Sequence, residues 1–140
     1  MMVCQRTLEI ATRTRGFTDV TSEIAAVVEA SGVAVGLCSV FVQHTSASLV
    51  IQENADPSVL RDLAGWMERL APEAGHYEHD AEGPDDMPSH LRSAVTRTGE
   101  VVPVSGGRLA LGTWQAVYLW EHRAAPHRRR LVVTVTGAPA

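Results

Sequence analysis

The chain contains no lysine, so all twelve of its basic side chains are arginine. Any anion site must therefore be built from arginine, backbone N–H groups or hydroxyls. Its net charge is −4, with no surplus of cations to neutralise a phosphate backbone. Nucleic acid is thus a poor fit as a partner. Only two cysteines are present, Cys4 and Cys38. They are too few for a disulfide framework and lack metal-ligand spacing, so both read as reduced, small apolar residues. No apolar run approaches the roughly 20 residues needed to span a bilayer. The start, M-M-V-C-Q-R-T-L-E-I, lacks the basic segment and apolar block of a secretory signal. The expectation is a cytoplasmic protein with no membrane partner.

What is present is enough apolar residue, 45% of 140 positions, for one real core. A single domain over residues 1–140 is expected, with no internal repeat or linker. Thr7–Thr12 reads as a first strand ended by Gly16. Residues 19–31 read as a helix with Val20, Ile24, Val27 and Val28 on one face and Gly32 as its left-handed stop. Val33–His44 and Ser48–Glu53 read as strands joined by a hairpin at Thr45, Ser46 and Ala47. Asp56-Pro57 is a helix start, since aspartate can accept from free N–H groups and proline is tolerated in the first turn. That helix is expected to reach Leu70 and to turn Leu60, Leu63, Met67 and Leu70 inward. A short helix begins near Pro88. Strands follow at Glu100–Val104, Arg108–Leu111, Gln115–Arg123 and Leu131–Thr136, with the basic run His127–Arg130 in a connecting loop. The strand from Gln115 is apolar on both faces, so a second sheet or another subunit must cover it.

The chemistry concentrates between His76 and His90, H-Y-E-H-D-A-E-G-P-D-D-M-P-S-H. Imidazole and carboxylate together bind metals or move protons. His79, Asp86 and His90 are the first candidates, with His44 as a further ligand. The competing reading is a solvated acidic loop with incidental histidines. In Q-H-T-S-A-S, His44 ends an apolar strand, and a turn accounts for the hydroxyls that follow. Thr45 and Ser46 still count as substrate-binding candidates. In E-N-A-D-P, Asp56 caps the helix and Asn54 either orients a ligand or makes the turn. Gln115, Glu121 and Arg123 share a strand face. Glu121 is a candidate metal ligand or base, or else an ion-pair partner for an arginine of a neighbouring strand.

Four segments together resemble the YjbQ family, described as secondary thiamine-phosphate synthase enzymes. They are Q-H-T-S-A-S-L-V-I-Q-E-N-A-D-P, H-D-A-E-G-P-D-D-M-P-S-H-L, G-R-L-A-L-G-T-W-Q and E-H-R. The resemblance implies an α+β fold, with a sandwich-like antiparallel core carrying two main helices and assembled as a homotrimer. It also implies a pocket near a subunit boundary built on His44, His79, Asp86, His90, Gln115 and Glu121. The implied reaction joins a pyrimidine methyl diphosphate to a thiazole phosphate. A divalent metal, magnesium or zinc, on His44, His79 and His90 would stabilise the leaving diphosphate, helped by Arg108 or Arg123. Two alternatives stand beside it: a zinc hydrolase with Asp86 or Glu121 as base, and a non-enzymatic trimer that binds a small anion or a metal.

Overall fold

A computed structural model describes all of residues 1–140. The chain folds as β1 (Met2–Thr12), β2 (Gly16–Asp19), α1 (Thr21–Ser31), β3 (Val33–Val42), β4 (Ala47–Glu53), α2 (Pro57–Leu70), α3 (Asp86–Val95), β5 (Gly99–Ser105), β6 (Arg108–Leu109), β7 (Gln115–Glu121) and β8 (His127–Pro139). Two antiparallel sheets form, ordered β1-β8-β3-β5-β6 and β2-β7-β4. This is the α+β, sandwich-like architecture expected. No helix is long and apolar enough to cross a membrane.

Strand alternation builds the core. Cys38, Val40 and Val42 of β3 and Leu131, Val133 and Val135 of β8 face Leu49, Val117 and Leu119 of the smaller sheet. Helix α1 adds Ile24, Val27 and Val28 to the same cluster, with Val20 just before it. Burying each such side chain contributes about 1.5–3 kcal/mol, which fastens α1 between the sheets. Gly32 ends α1 at φ 73°, a conformation glycine adopts without strain. The other face of β7 carries Tyr118 and Trp120, which pack with Phe17 of β2. The larger sheet thus covers one face of β7, and the other is an aromatic face on which Trp120 shares a cavity wall with Ala64 and Met67 of α2.

Three expectations are corrected. The segment after β3 is not a hairpin, because β3 pairs with β5 and β8 while β4 pairs with β7. Residues 43–46 instead carry the chain from one sheet to the other. The basic run His127–Arg130 is strand, paired with Glu9–Thr12 of β1. It tolerates strand burial because only Arg129 faces inward, where Glu121 neutralises it. Helix α2 starts as expected, with the Asp56 carboxylate accepting from Ser58 N–H at 2.9 Å. Of its four supposed core residues, however, only Met67 is buried, and Leu70 is half exposed together with Trp66. Leu60 and Leu63 are partly buried, so the periodicity marked a helix face of which only Met67 is fully enclosed.

Candidate metal centre

Helix α3 begins at Asp86, two residues before the expected start. Asp86 and His90 are therefore one helical turn apart on the same face. Asp86 is 3% exposed, although it lies at a helix end beside the acidic loop. Its Oδ2 faces His79 Nε2 at 2.8 Å and His90 Nε2 at 3.4 Å. One ligand atom from each of the three residues lies within 4.8 Å of the others. Oδ1 accepts from Arg123 Nη1 at 2.9 Å. Burial alone would raise the Asp86 pKa, but side-chain hydrogen bonding with Glu82 and His79 and the positive charges of His90 and Arg123 hold it below the usual range.

This donor set fits a divalent metal. Two imidazoles and one carboxylate are a usual three-ligand set, with further positions left for water or substrate. At metal–ligand distances near 2.1 Å, tetrahedral ligand atoms stand roughly 3.4 Å apart, as Asp86 and His90 already do. Arg123 supplies the outer support that fixes a carboxylate ligand. Beside the cluster lies an open depression of about 380 Å³, lined by His76, Tyr77, His79, Asp80 and Met87 among others. It leaves room for a small molecule beside His79.

Every nitrogen of the Arg123 side chain already donates. Nε donates to Asp85 Oδ2 at 3.0 Å and Nη2 to the carbonyl of Glu82 at 3.2 Å. Asp85 also accepts from Ala124 N–H at 2.8 Å. The residue ties the acidic loop to the end of β7, and little of its guanidinium is left for a phosphate.

Glu121 belongs to a second, deeper network. It is 1% exposed and lies against Arg129, equally buried. Its Oε1 accepts from Arg129 Nε at 2.8 Å and Thr12 Oγ1 at 2.7 Å, and its Oε2 from Arg123 N–H at 3.1 Å. Burial would raise its pKa, but these hydrogen bonds and the Arg129 charge lower it. A carboxylate so satisfied is a poor base. Arg129 Nη2 also donates to Ser46 Oγ at 3.0 Å.

That bond fixes the state of His44. With its oxygen accepting from Arg129, the Ser46 hydroxyl can donate to His44 Nδ1, 2.9 Å away. The Ser46 backbone N–H donates to the same nitrogen at 3.1 Å. Nδ1 is thus an acceptor, so the neutral ring carries its proton on Nε2. Because Nδ1 is held as an acceptor, the ring proton cannot move there to free Nε2 for a metal, and His44 is not among the three converging ligand groups. It lies near enough to them for the His90 charge to reach it. Although the residue is exposed, packing around its ring lowers its pKa, as does the Arg129 charge.

The remaining candidates lie elsewhere. Thr45 is exposed in the crossing segment. Asn54 donates through Nδ2 to the carbonyls of Thr113 and Gln115, at 3.3 and 3.4 Å. Gln115 Oε1 accepts from Gly112 N–H at 2.8 Å. Arg108 and Gln115 line a separate depression with Thr21 and Glu29. Gln115 and Glu121 are the two ends of β7, roughly 20 Å apart by strand rise. A single subunit therefore does not gather all the candidates into one pocket. Sequence reasoning allowed Glu121 an ion pair with an arginine of a neighbouring strand, which is Arg129, but missed the roles of Asp85 and His122, whose signal is tertiary. His122 is buried, pairs with Ser48 Oγ at 2.8 Å, and leaves Nδ1 without a partner.

The comparisons with known proteins bear on family and fold. The sequence model of the family described as "UPF0047 protein YjbQ-like" matches residues 6–138. A UPF0047 protein of Synechocystis is 58% identical over 134 residues, covering 95% of this chain and 91% of that protein. YjbQ of Escherichia coli O157:H7 is 45% identical, covering 95% and 97%. A crystal structure of a yjbq/upf0047 family protein from Clostridium acetobutylicum superposes with a TM-score of 0.83 at 32% identity, covering 92% of this chain and 99% of that one. A YbjQ-like protein of unknown function from Sulfolobus solfataricus shares the fold, with a TM-score of 0.87 at 24% identity over 97% and 99%. With the family model spanning nearly the whole chain and close relatives matched end to end, the chain belongs to the UPF0047/YjbQ family.

Proposed function

We propose that the protein is a divalent-metal-dependent enzyme acting on a small phosphorylated substrate, with a reaction of the thiamine-phosphate synthase type. It would join a pyrimidine methyl diphosphate to a thiazole phosphate and release pyrophosphate. The observation that carries this reading is the convergence of His79, Asp86 and His90 beside an open depression. Two imidazoles favour zinc over magnesium. The bound ion would supply the positive charge that a leaving diphosphate needs, since no free arginine stands at the cluster. His79 and His90 would hold it with Asp86, which Arg123 orients. His44 would donate from Nε2–H to a substrate oxygen, held in that tautomer by Ser46.

A homotrimer belongs to the same proposal. The outer face of the larger sheet exposes Val3, Val35, Leu37, Phe41 and Val101, an apolar area of the kind that marks contact surfaces. Packing between subunits could also bring the Gln115 end of β7 near a neighbour's histidines. A zinc hydrolase is the second reading, favoured by a three-ligand set that leaves coordination positions open.

The test is turnover by metal-free and zinc-loaded protein of the two thiamine precursors, beside hydrolysis of simple phosphate esters. Zinc-dependent coupling supports the transferase, and zinc-dependent ester hydrolysis without coupling supports the hydrolase. Tight zinc binding without either turnover would leave a metal-binding protein and overturn the enzyme reading.

A further inference from the structure

Arg92 is a buried cation with no counter-ion. It lies on α3 and is 4% exposed. Its Nε and Nη2 both donate to the carbonyl of Ala71, at 3.2 and 2.9 Å. Neutral oxygen is its only partner, whereas buried charges are ordinarily paired with an opposite charge. Glu68 and Glu73 act on it only through space, Glu68 being exposed and Glu73 held by Arg15. Its third nitrogen, Nη1, makes no hydrogen bond and is not sealed in the protein.

Arg92 opens on a cavity of about 210 Å³ between α2, α3 and the end of β7. Arg15 is a second guanidinium on its wall, its charge met by Glu73, while Met67 and Trp120 make an apolar side. Glu121 also lines it, but its charge is met by Arg129. Glu68 stands at the wall as the one acid without an ion-pair partner. The cavity shares no lining residue with the depression beside the metal centre.

We propose that this cavity binds a small oxyanion, phosphate or a short phosphate ester, between Arg92 and Arg15. The uncompensated Arg92 charge supplies the attraction, Arg15 adds the N–H donors that its pair with Glu73 leaves free, and arginine forks suit phosphate oxygens. The volume lies below the roughly 300–1,000 Å³ of sites for drug-sized ligands, which excludes a nucleotide or coenzyme. Met67 and Trp120 leave room for a short carbon group on the ester. The site does not depend on the metal reading and lies beyond it.

The experiment is calorimetric titration of inorganic phosphate into metal-free, full-length protein at fixed ionic strength. The expected result is saturable binding that Arg15→Gln weakens roughly tenfold, the loss of one charge-assisted contact. Methyl phosphate should bind comparably to phosphate, and His79→Ala should leave the affinity unchanged. Arg92→Met should abolish binding. That variant also loses the tie from α3 to the end of α2 and can fail to fold, so Arg15→Gln on the partly exposed wall is the deciding variant. Absence of phosphate binding to the parent protein, affinity unmoved by Arg15→Gln, or binding lost in His79→Ala would each overturn the proposal. The last result would place the anion at the metal centre instead.

Discussion

Asp86 and Glu121 are both almost wholly buried carboxylates, 3% and 1% exposed, and each faces an arginine. Their pKa values are lowered against the same penalty of burial. They differ in what fills the remaining lone pairs. Glu121 spends its oxygens on Thr12, Arg129 and a backbone N–H, all permanent donors. Asp86 gives one oxygen to Arg123 and turns the other toward two histidines, which can exchange a proton for a metal. Residue type and burial therefore do not separate a ligand from a girder here. On the proposed reading the chemistry of the partners does, and Asp86 would be replaceable in structure but not in binding, with the reverse for Glu121.

The sharpest way to break that contrast is to neutralise Glu121. Glu121→Gln leaves Arg129 buried without its counter-charge, and losing one partner of such a pair costs about 3–5 kcal/mol. Urea denaturation should show that loss, while zinc affinity of the folded fraction stays within about threefold, the girder lying outside the ligand set. Asp86→Asn and His90→Ala should do the opposite. Each should weaken zinc binding by about a hundredfold, roughly 2.7 kcal/mol, in a competition titration with a coloured chelator. Equal losses of zinc affinity in all three variants would erase the distinction between the two carboxylates.

Much of this architecture was legible in the sequence because it rests on local periodicity. Val20, Ile24, Val27 and Val28 marked the buried face of α1, and Gly32 marked its end. Asp56-Pro57 marked the start of α2. His79, Asp86 and His90 were legible as a dense group of ligand types, though their distances were not. What failed depends on pairing between distant segments. An arginine-rich run reads as a loop unless one knows that Glu121 waits opposite Arg129. Thr45, Ser46 and Ala47 read as a hairpin because nothing local says that β4 joins another sheet. Likewise nothing local says that Arg129 meets the Ser46 hydroxyl, which bears on the His44 ring tautomer.

A pH titration probes the girder side more gently. Burial holds the His122 pKa down at about 3, with the charges of Arg92 and Arg129 adding to the effect. Its folded-state pKa lies below its unfolded value near 6.5. The unfolded chain therefore binds the extra proton first, and stability falls as pH drops through the window from about 6.5 toward 3. The slope for one proton is at most about 1.4 kcal/mol per pH unit. Between pH 6.5 and 5 carboxylates contribute little, and His44, also lowered but exposed, adds only a minor share. His122→Gln should flatten that part of the profile, measured as urea midpoints against pH. An unchanged slope would mean that His122 finds a proton acceptor in the fold and is not a neutral girder.

The smallest expected effect concerns His44, which stands between the two networks. If Ser46 holds Nδ1 as an acceptor, His44 contributes an N–H donor and no metal bond. Glutamine presents an amide N–H near the position of Nε2, so His44→Gln should leave zinc affinity within about threefold of the parent. Nitrogen-15 spectra of the parent should show Nε2 protonated and Nδ1 bare, and adding zinc should not change that pattern. Ser46→Ala removes one of the two donors to Nδ1 and frees Arg129 Nη2 from its hydroxyl partner, so a mixture of tautomers should then appear. A large zinc-induced shift at His44 Nε2, with an equal loss of zinc affinity in His44→Gln and His90→Ala, would make His44 a fourth ligand. The boundary between the metal-binding and structural networks would then fall on the far side of Ser46.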